Sequence, residues 1–153
     1  MTKKYWMLTA LAVVLGGISL YLNQDWFAKE NIQIIHRSMP PRPGFGGRRF
    51  QANAAVNPVL FGLEHNLKLT AVKVIPVCDI ETNKYPHPIW HLVSDSNSVP
   101  IKSFFYGQPI AGMRPAVKGT TPEALQPDVN YRLLLEAGPR KSSHDFTPVP
   151  RTP

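Results

Sequence analysis

Eighteen consecutive residues without a charge, Tyr5 to Leu22 (YWMLTALAVVLGGISLYL), constrain this chain more than any other feature. As a helix they would extend roughly 27 Å at about 1.5 Å per residue, close to the hydrocarbon thickness of a bilayer. Lys3 and Lys4 precede the run, whereas Asp25, Lys29 and Glu30 nearly cancel behind it. The positive-inside bias therefore predicts a single transmembrane helix with a cytoplasmic N-terminus and everything from Asn23 onward exported, to a periplasmic or extracellular location. Tyr5, Trp6, Tyr21 and Trp26 suit the two interfaces. A cleaved signal peptide has the same basic start and apolar core. Its small-x-small site would be Gly17-Ile18-Ser19, inside the apolar run, which favours an uncleaved anchor; both readings export the remainder. The single cysteine, Cys78, lies far from the position just after the run that lipid attachment would need.

The residues beyond the run suffice for one domain with a lead-in and a tail. Sixteen prolines and ten glycines in 153 residues are too many for a helical bundle and suit short strands joined by turns. The predicted organisation is an anchor over residues 1–22, a first strand and a Pro/Gly/Arg-rich flexible segment over 23–56, a β-domain over 57–150, and a tail over 151–153. The formal charge of +7 is not a nucleic-acid signal, because from residue 51 onward ten Lys or Arg face eight Asp or Glu. The excess sits in Lys3, Lys4 and the arginines at 37, 42, 48 and 49, near the anchor. Pro40-Pro41-Arg42-Pro43 reads as a stiff spacer or a polyproline ligand. Cys78, next to Val77 at the end of an apolar run, is expected to be a small buried hydrophobe.

Strands are expected over 31–36, 57–63, 67–77, 89–94, 101–106 and 143–149, with a polar turn at 64–66, a polar connection over 79–88 and a poor edge strand within 110–118. Trp90 and Leu92 share one face of their strand. Clearest of all is LQPDVNYRLLLEAG, residues 125–138, in which Tyr131, Leu133, Leu135 and Ala137 alternate with Arg132 and Glu136 as in a half-buried strand. Its pattern Leu-x-Pro-x-x-x-Tyr-x-Leu-x-Leu-x-Ala resembles the fibronectin type III and related immunoglobulin-like signature entering the sixth strand. The resemblance covers about thirteen residues and implies an all-β sandwich with a tyrosine corner. In that corner Leu125 and Pro127 turn the chain and the hydroxyl of Tyr131 bonds back to backbone a few residues upstream. Asp128 stands where the family usually has glycine. Trp90 falls on what would be the third strand, as in immunoglobulin domains, without their paired cysteines.

His87 and His91 (HPIWH) are spaced for zinc on a helix, but flanking prolines make the stretch extended and separate the two by roughly 13 Å, too far to share a metal. Asp95-x-Asn97 begins like a calcium loop but has Pro100 and Tyr106 where glycine and glutamate belong. With no nucleophile elbow, phosphate loop or reactive Cys/His signature in the sequence, the expectation is a non-catalytic envelope protein without cofactor or metal. Its exported domain would serve as an interaction or structural module with a protein partner. A glycan- or peptide-binding domain is the alternative, with Tyr85, Trp90, Phe104 and Tyr106 as contact residues, because adjacent aromatics on alternating strands leave some rings facing out. In the competing packing, Trp90 and Phe105 fill the core while Phe104 and Tyr106 lie beneath a loop. A small hydrolase, with a site assembled from loops, ranks last.

Overall fold

The computed structural model describes residues 3–23, 31–40, 55–95 and 98–151. Two compact units are present, Met1–Glu30 and Asn31–Pro153. In the first, α1 (Lys3–Leu22) is a 20-residue helix, about 30 Å long at the standard rise, and is long and apolar enough to cross a membrane. All its side chains are exposed, and the hydroxyl of Thr9 donates to the Tyr5 carbonyl at 2.6 Å. Most of the Pro/Gly/Arg-rich segment, including Pro41 to Pro43, lies outside the described residues, as does Trp26.

The second unit is built from two antiparallel sheets. In chain order the strands are β1 (Ile34–Ser38), β2 (Val59–Leu67), β3 (Ala71–Pro76), β4 (Trp90–Val93), β5 (Ile101–Phe105), β6 (Arg114–Pro115), β7 (Tyr131–Ala137) and β8 (Arg140–Phe146). One sheet runs β1-β2-β5 and the other β6-β4-β3-β7-β8. Alternation decides what each strand buries: Val59, Phe61 and Leu63 from β2, Val72 and Val74 from β3, Trp90 and Leu92 from β4, and Tyr131, Leu133 and Leu135 from β7 enter one shared core. The C-terminal stretch returns to the start of β2, where Val56 bridges Pro150 and the Asn57 N–H donates to the Val149 carbonyl at 3.0 Å.

Several boundaries differ from the sequence expectation. Glu64, His65 and Asn66 do not turn the chain; β2 continues through them, with an irregularity in its register against β5 between Gly62 and Leu67. The turn comes at residues 68–70, and it carries the chain from one sheet to the other, with Leu69 buried in passing. After Pro76 the chain enters a short helix, α2 (Val77–Thr82), in place of an irregular connection. Cys78 is exposed there, because the helix redirects its side chain away from the core that a continuing strand would have faced. The weakly patterned stretch after Ile110 yields β6, a two-residue edge strand beside β4. The final strand begins at Arg140, directly after a two-residue loop in which Gly138 holds φ +62°, a conformation glycine adopts without penalty at the first loop position of a hairpin.

Counting the strands corrects one further expectation. Because Ile34–Ser38 pairs with β2 as part of the same sheet, Trp90 lies on the fourth strand and not the third, whereas Tyr131 opens the seventh only when the two-residue β6 is counted and the sixth otherwise.

Candidate functional site

The corner at the start of β7 is built as the residues imply. Leu125 is buried, Gln126 is exposed, and Pro127-Asp128 form a turn in which Asp128 takes φ +60°. Proline followed by a positive φ suits a type II turn, and aspartate tolerates that region better than most residues. The turn returns the chain so that Tyr131, only 3% exposed, places its hydroxyl 3.0 Å from the Gln126 nitrogen and accepts its N–H. Asp128→Val should therefore destabilise the domain by about 1–2 kcal/mol, because a β-branched residue is strained at positive φ. Asp128→Gly should change stability by less than about 0.5 kcal/mol, its relief of strain being offset by the greater freedom of the unfolded chain. Thermal melts of both variants check this.

The four aromatic candidates divide unevenly. Tyr85 is 84% exposed, with the Lys84 ammonium 5.6 Å from its ring centre. Trp90, Phe104 and Tyr106 are buried, so no open face of coplanar rings forms from these four. The strand parity explains why: β5 pairs Phe104 with Phe61, which points inward, so Phe104 rather than Phe105 fills the core. Phe104 packs 5.5 Å from Phe61 and 6.1 Å from Trp90, and Trp90 meets Tyr106 edge-on at 5.1 Å. Phe61 meets Phe146 edge-on at 4.9 Å, and Phe146 stacks on Tyr131 at 5.8 Å. The six rings form one chain through the core that joins both sheets.

Tyr106 has a second role that pattern alone did not reveal. Its hydroxyl donates to the Glu123 carbonyl at 2.8 Å, and burial raises its pKa well above the ordinary phenol value. The Glu123 N–H in turn donates to the Ile89 carbonyl at 3.0 Å. Two tyrosine hydroxyls thus pin the long connection into β7, Tyr106 at Glu123 and Tyr131 at Gln126. The turn that ends β5 fits this closely: Gly107 holds φ +77°, and a Cβ there would lie 3.3 Å from the Pro122 ring. Tyr106→Phe should cost about 0.5–1.5 kcal/mol, read from denaturant midpoints, through the lost bond to Glu123.

Polar side chains gather at one further place. His36 on β1 and His144 on β8 sit at inward parity on the edges of the two sheets, where the Nδ1 of His36 lies 2.6 Å from the Nε2 of His144. Beside them the Ser142 hydroxyl donates to the Ile32 carbonyl at 2.7 Å. Desolvation, and after it the neighbouring His36, lower the pKa of His144, against a smaller opposing pull from Asp145. The signal was available in the sequence, since His36 shares parity with Ile34 and His144 with Phe146. Asp145, on the opposite face, takes a two-pronged bond from Arg132 at 2.6 and 2.9 Å, which holds its carboxyl below the usual range.

His87 and His91 do not meet: His87 lies 3.6 Å from Glu123, while His91 belongs to β4 beside Lys73 of β3, and burial followed by Lys73 lowers its pKa. Among the described residues no group of three or more His, Cys, Asp or Glu is placed to hold a metal. On the outer face of the three-stranded sheet, Ile35 is 71% exposed, with the half-buried Leu60 and Phe105 paired across the next register position. No family model, curated protein or solved structure matches the chain.

Proposed function

We propose that the chain is a membrane-anchored, non-catalytic envelope protein whose exported domain is an immunoglobulin-like or fibronectin type III-like sandwich serving as an interaction or structural module. The single observation that carries this reading is the division of apolar surface: α1 is uncharged from Tyr5 to Leu22 and exposed on every side, while Trp90, Phe104, Tyr106 and Tyr131 of the domain are committed to its core. A helix of that kind finds its partner in lipid. Thr9 bonds to its own helix at Tyr5, as a hydroxyl in hydrocarbon must. The basic pair Lys3-Lys4 ahead of the helix favours a cytoplasmic N-terminus and an exported domain.

The sandwich reading draws support from strand order. β1-β2-β5 follows the order of strands A, B and E of immunoglobulin-like domains, and β4-β3-β7-β8 follows C′, C, F and G, with β6 added outside C′. Tyr131 then stands at the start of strand F, where the tyrosine corner belongs. The assignment puts Trp90 on C′ instead of C, a departure from antibody domains. Domains of this architecture bind and space other proteins far more often through sheet faces and loops than through chemistry of their own, which is an argument from fold alone.

The outer face around Ile35 is where a partner protein would meet the domain, since an exposed apolar residue beside half-buried Leu60 and Phe105 gains from being covered. Solubilised gently from its native membrane, the full chain should migrate as a complex larger than the detergent-bound monomer. Ile35→Arg should disperse that complex while shifting the melting free energy by less than about 0.5 kcal/mol, as a surface change does. Migration as a lone monomer, or a complex indifferent to Ile35→Arg, argues against this surface.

A further inference from the structure

Two facts meet at the open edge of the core. β1 is a five-residue edge strand held on one side by its ladder to β2, and on the other side its neighbourhood is tied to β8 by the His36–His144 pair and the Ser142–Ile32 bond. At 2.6 Å one facing nitrogen must carry a hydrogen and the other a lone pair. We propose that His36 and His144 form a proton-sensitive clasp between β1 and β8, closed while the pair holds at most one extra proton and opened by the second.

The proton inventory gives the reason. A first extra proton can enter on a nitrogen that faces away, which leaves the facing N–H and lone pair in place and makes the bond charge-assisted. A second proton puts N–H against N–H and charge against charge, so the rings must part. No group opposite them relieves this. In register, β2 sets Phe61 across from His36, and β7 sets Leu133 across from His144; neither titrates. Arg37 follows His36 on the exposed face of β1 and has the wrong sign to help. Asp145 follows His144 and favours its charged form, but more weakly than burial and His36 oppose it, its carboxylate being engaged on the opposite face by Arg132. Parting the rings uncovers Phe146, whose ring centre lies 6.1 Å from that of His36.

The sign is fixed by linkage. A histidine held below its unfolded pKa contributes stability at pH above about 6.5, and that contribution is lost as pH falls through the folded value. Loosening is therefore expected on acidification toward about pH 5, and it concerns β1 first, because β1 has no other strand beyond β2. This inference does not depend on the partner surface proposed above.

Hydrogen exchange of the full chain in lipid nanodiscs tests it, at about pH 7.5 and about pH 5, with rates corrected for the chemical effect of pH. Peptides covering β1 should lose protection at least about tenfold at the lower pH, while those from β3 and β7 change less than about threefold. His36→Gln and His144→Gln should each keep β1 protected at both values, because one remaining imidazole has no second charge to oppose. Equal protection of wild-type β1 at both values, or acid loosening that persists in either variant, overturns the clasp. Should a variant fail to fold, imidazole NMR titration of the wild-type chain decides. Two steps separated by more than about one pH unit support the pair, and two rings titrating independently near the ordinary value overturn it.

Discussion

Tyr131→Ala should destabilise the domain by about 3–5 kcal/mol, the cost of a large cavity beside Phe146 together with the loss of the Gln126 bond. Tyr131→Phe separates the two contributions. It keeps the ring against Phe146 and removes only the acceptor of the Gln126 N–H. Gln126 is exposed, so water can replace that acceptor and the expected cost falls to about 0.5–1.5 kcal/mol. Lys102→Ala, on the exposed side of β5, is the control, with a shift below about 0.5 kcal/mol. Arg132 is unsuitable for that purpose, since its two bonds to Asp145 give Arg132→Ala an expected cost of up to about 1 kcal/mol. Urea midpoints of the four variants are the measurement. Phe and Lys variants that melt alike would mean that the hydroxyl holds nothing.

Phe104→Ala should be comparably severe, about 3–5 kcal/mol, because Phe104 packs on Phe61 within its own sheet and reaches across to Trp90 of the other. Tyr85→Ala should shift stability by less than about 0.5 kcal/mol, consistent with its exposure. The contrast discriminates a packed core from a stacking platform. On a platform, loss of any one ring would weaken ligand binding and leave the melt nearly unchanged. Calorimetry of the two variants against the wild-type chain gives both numbers.

How much of this was legible beforehand depended on how local the signal was. The β7 corner is encoded within thirteen residues, so the turn at Pro127-Asp128, the inward tyrosine and its backbone partner could all be anticipated from LQPDVNYRLLLEA. The apolar helix was equally self-contained. What pattern alone did not give was pairing. Phe104, Phe105 and Tyr106 are three consecutive rings, and only the register of β5 against β2 decides that Phe104 and not Phe105 faces Phe61. Glu64-His65-Asn66 has the composition of a turn, yet β2 runs through it as an exposed extension. Cys78 followed an apolar run that reads as a strand until α2 interrupts it. The histidine pair joins positions 108 residues apart and belongs to no local motif. Strand order was likewise beyond a sequence reading, since counting β1 into the domain required its ladder to β2.

The central claim, an anchored chain with its domain outside, is tested most directly by protease access to the full-length protein in intact cells and in inverted membrane vesicles. With α1 uncleaved and Lys3-Lys4 inside, protease added to cells whose membrane is exposed should remove the domain and leave a short membrane-embedded fragment containing Tyr5 to Leu22. Inverted vesicles should protect the domain. Recovery of a soluble form beginning near Leu20, or digestion of the domain from the cytoplasmic side, would contradict it.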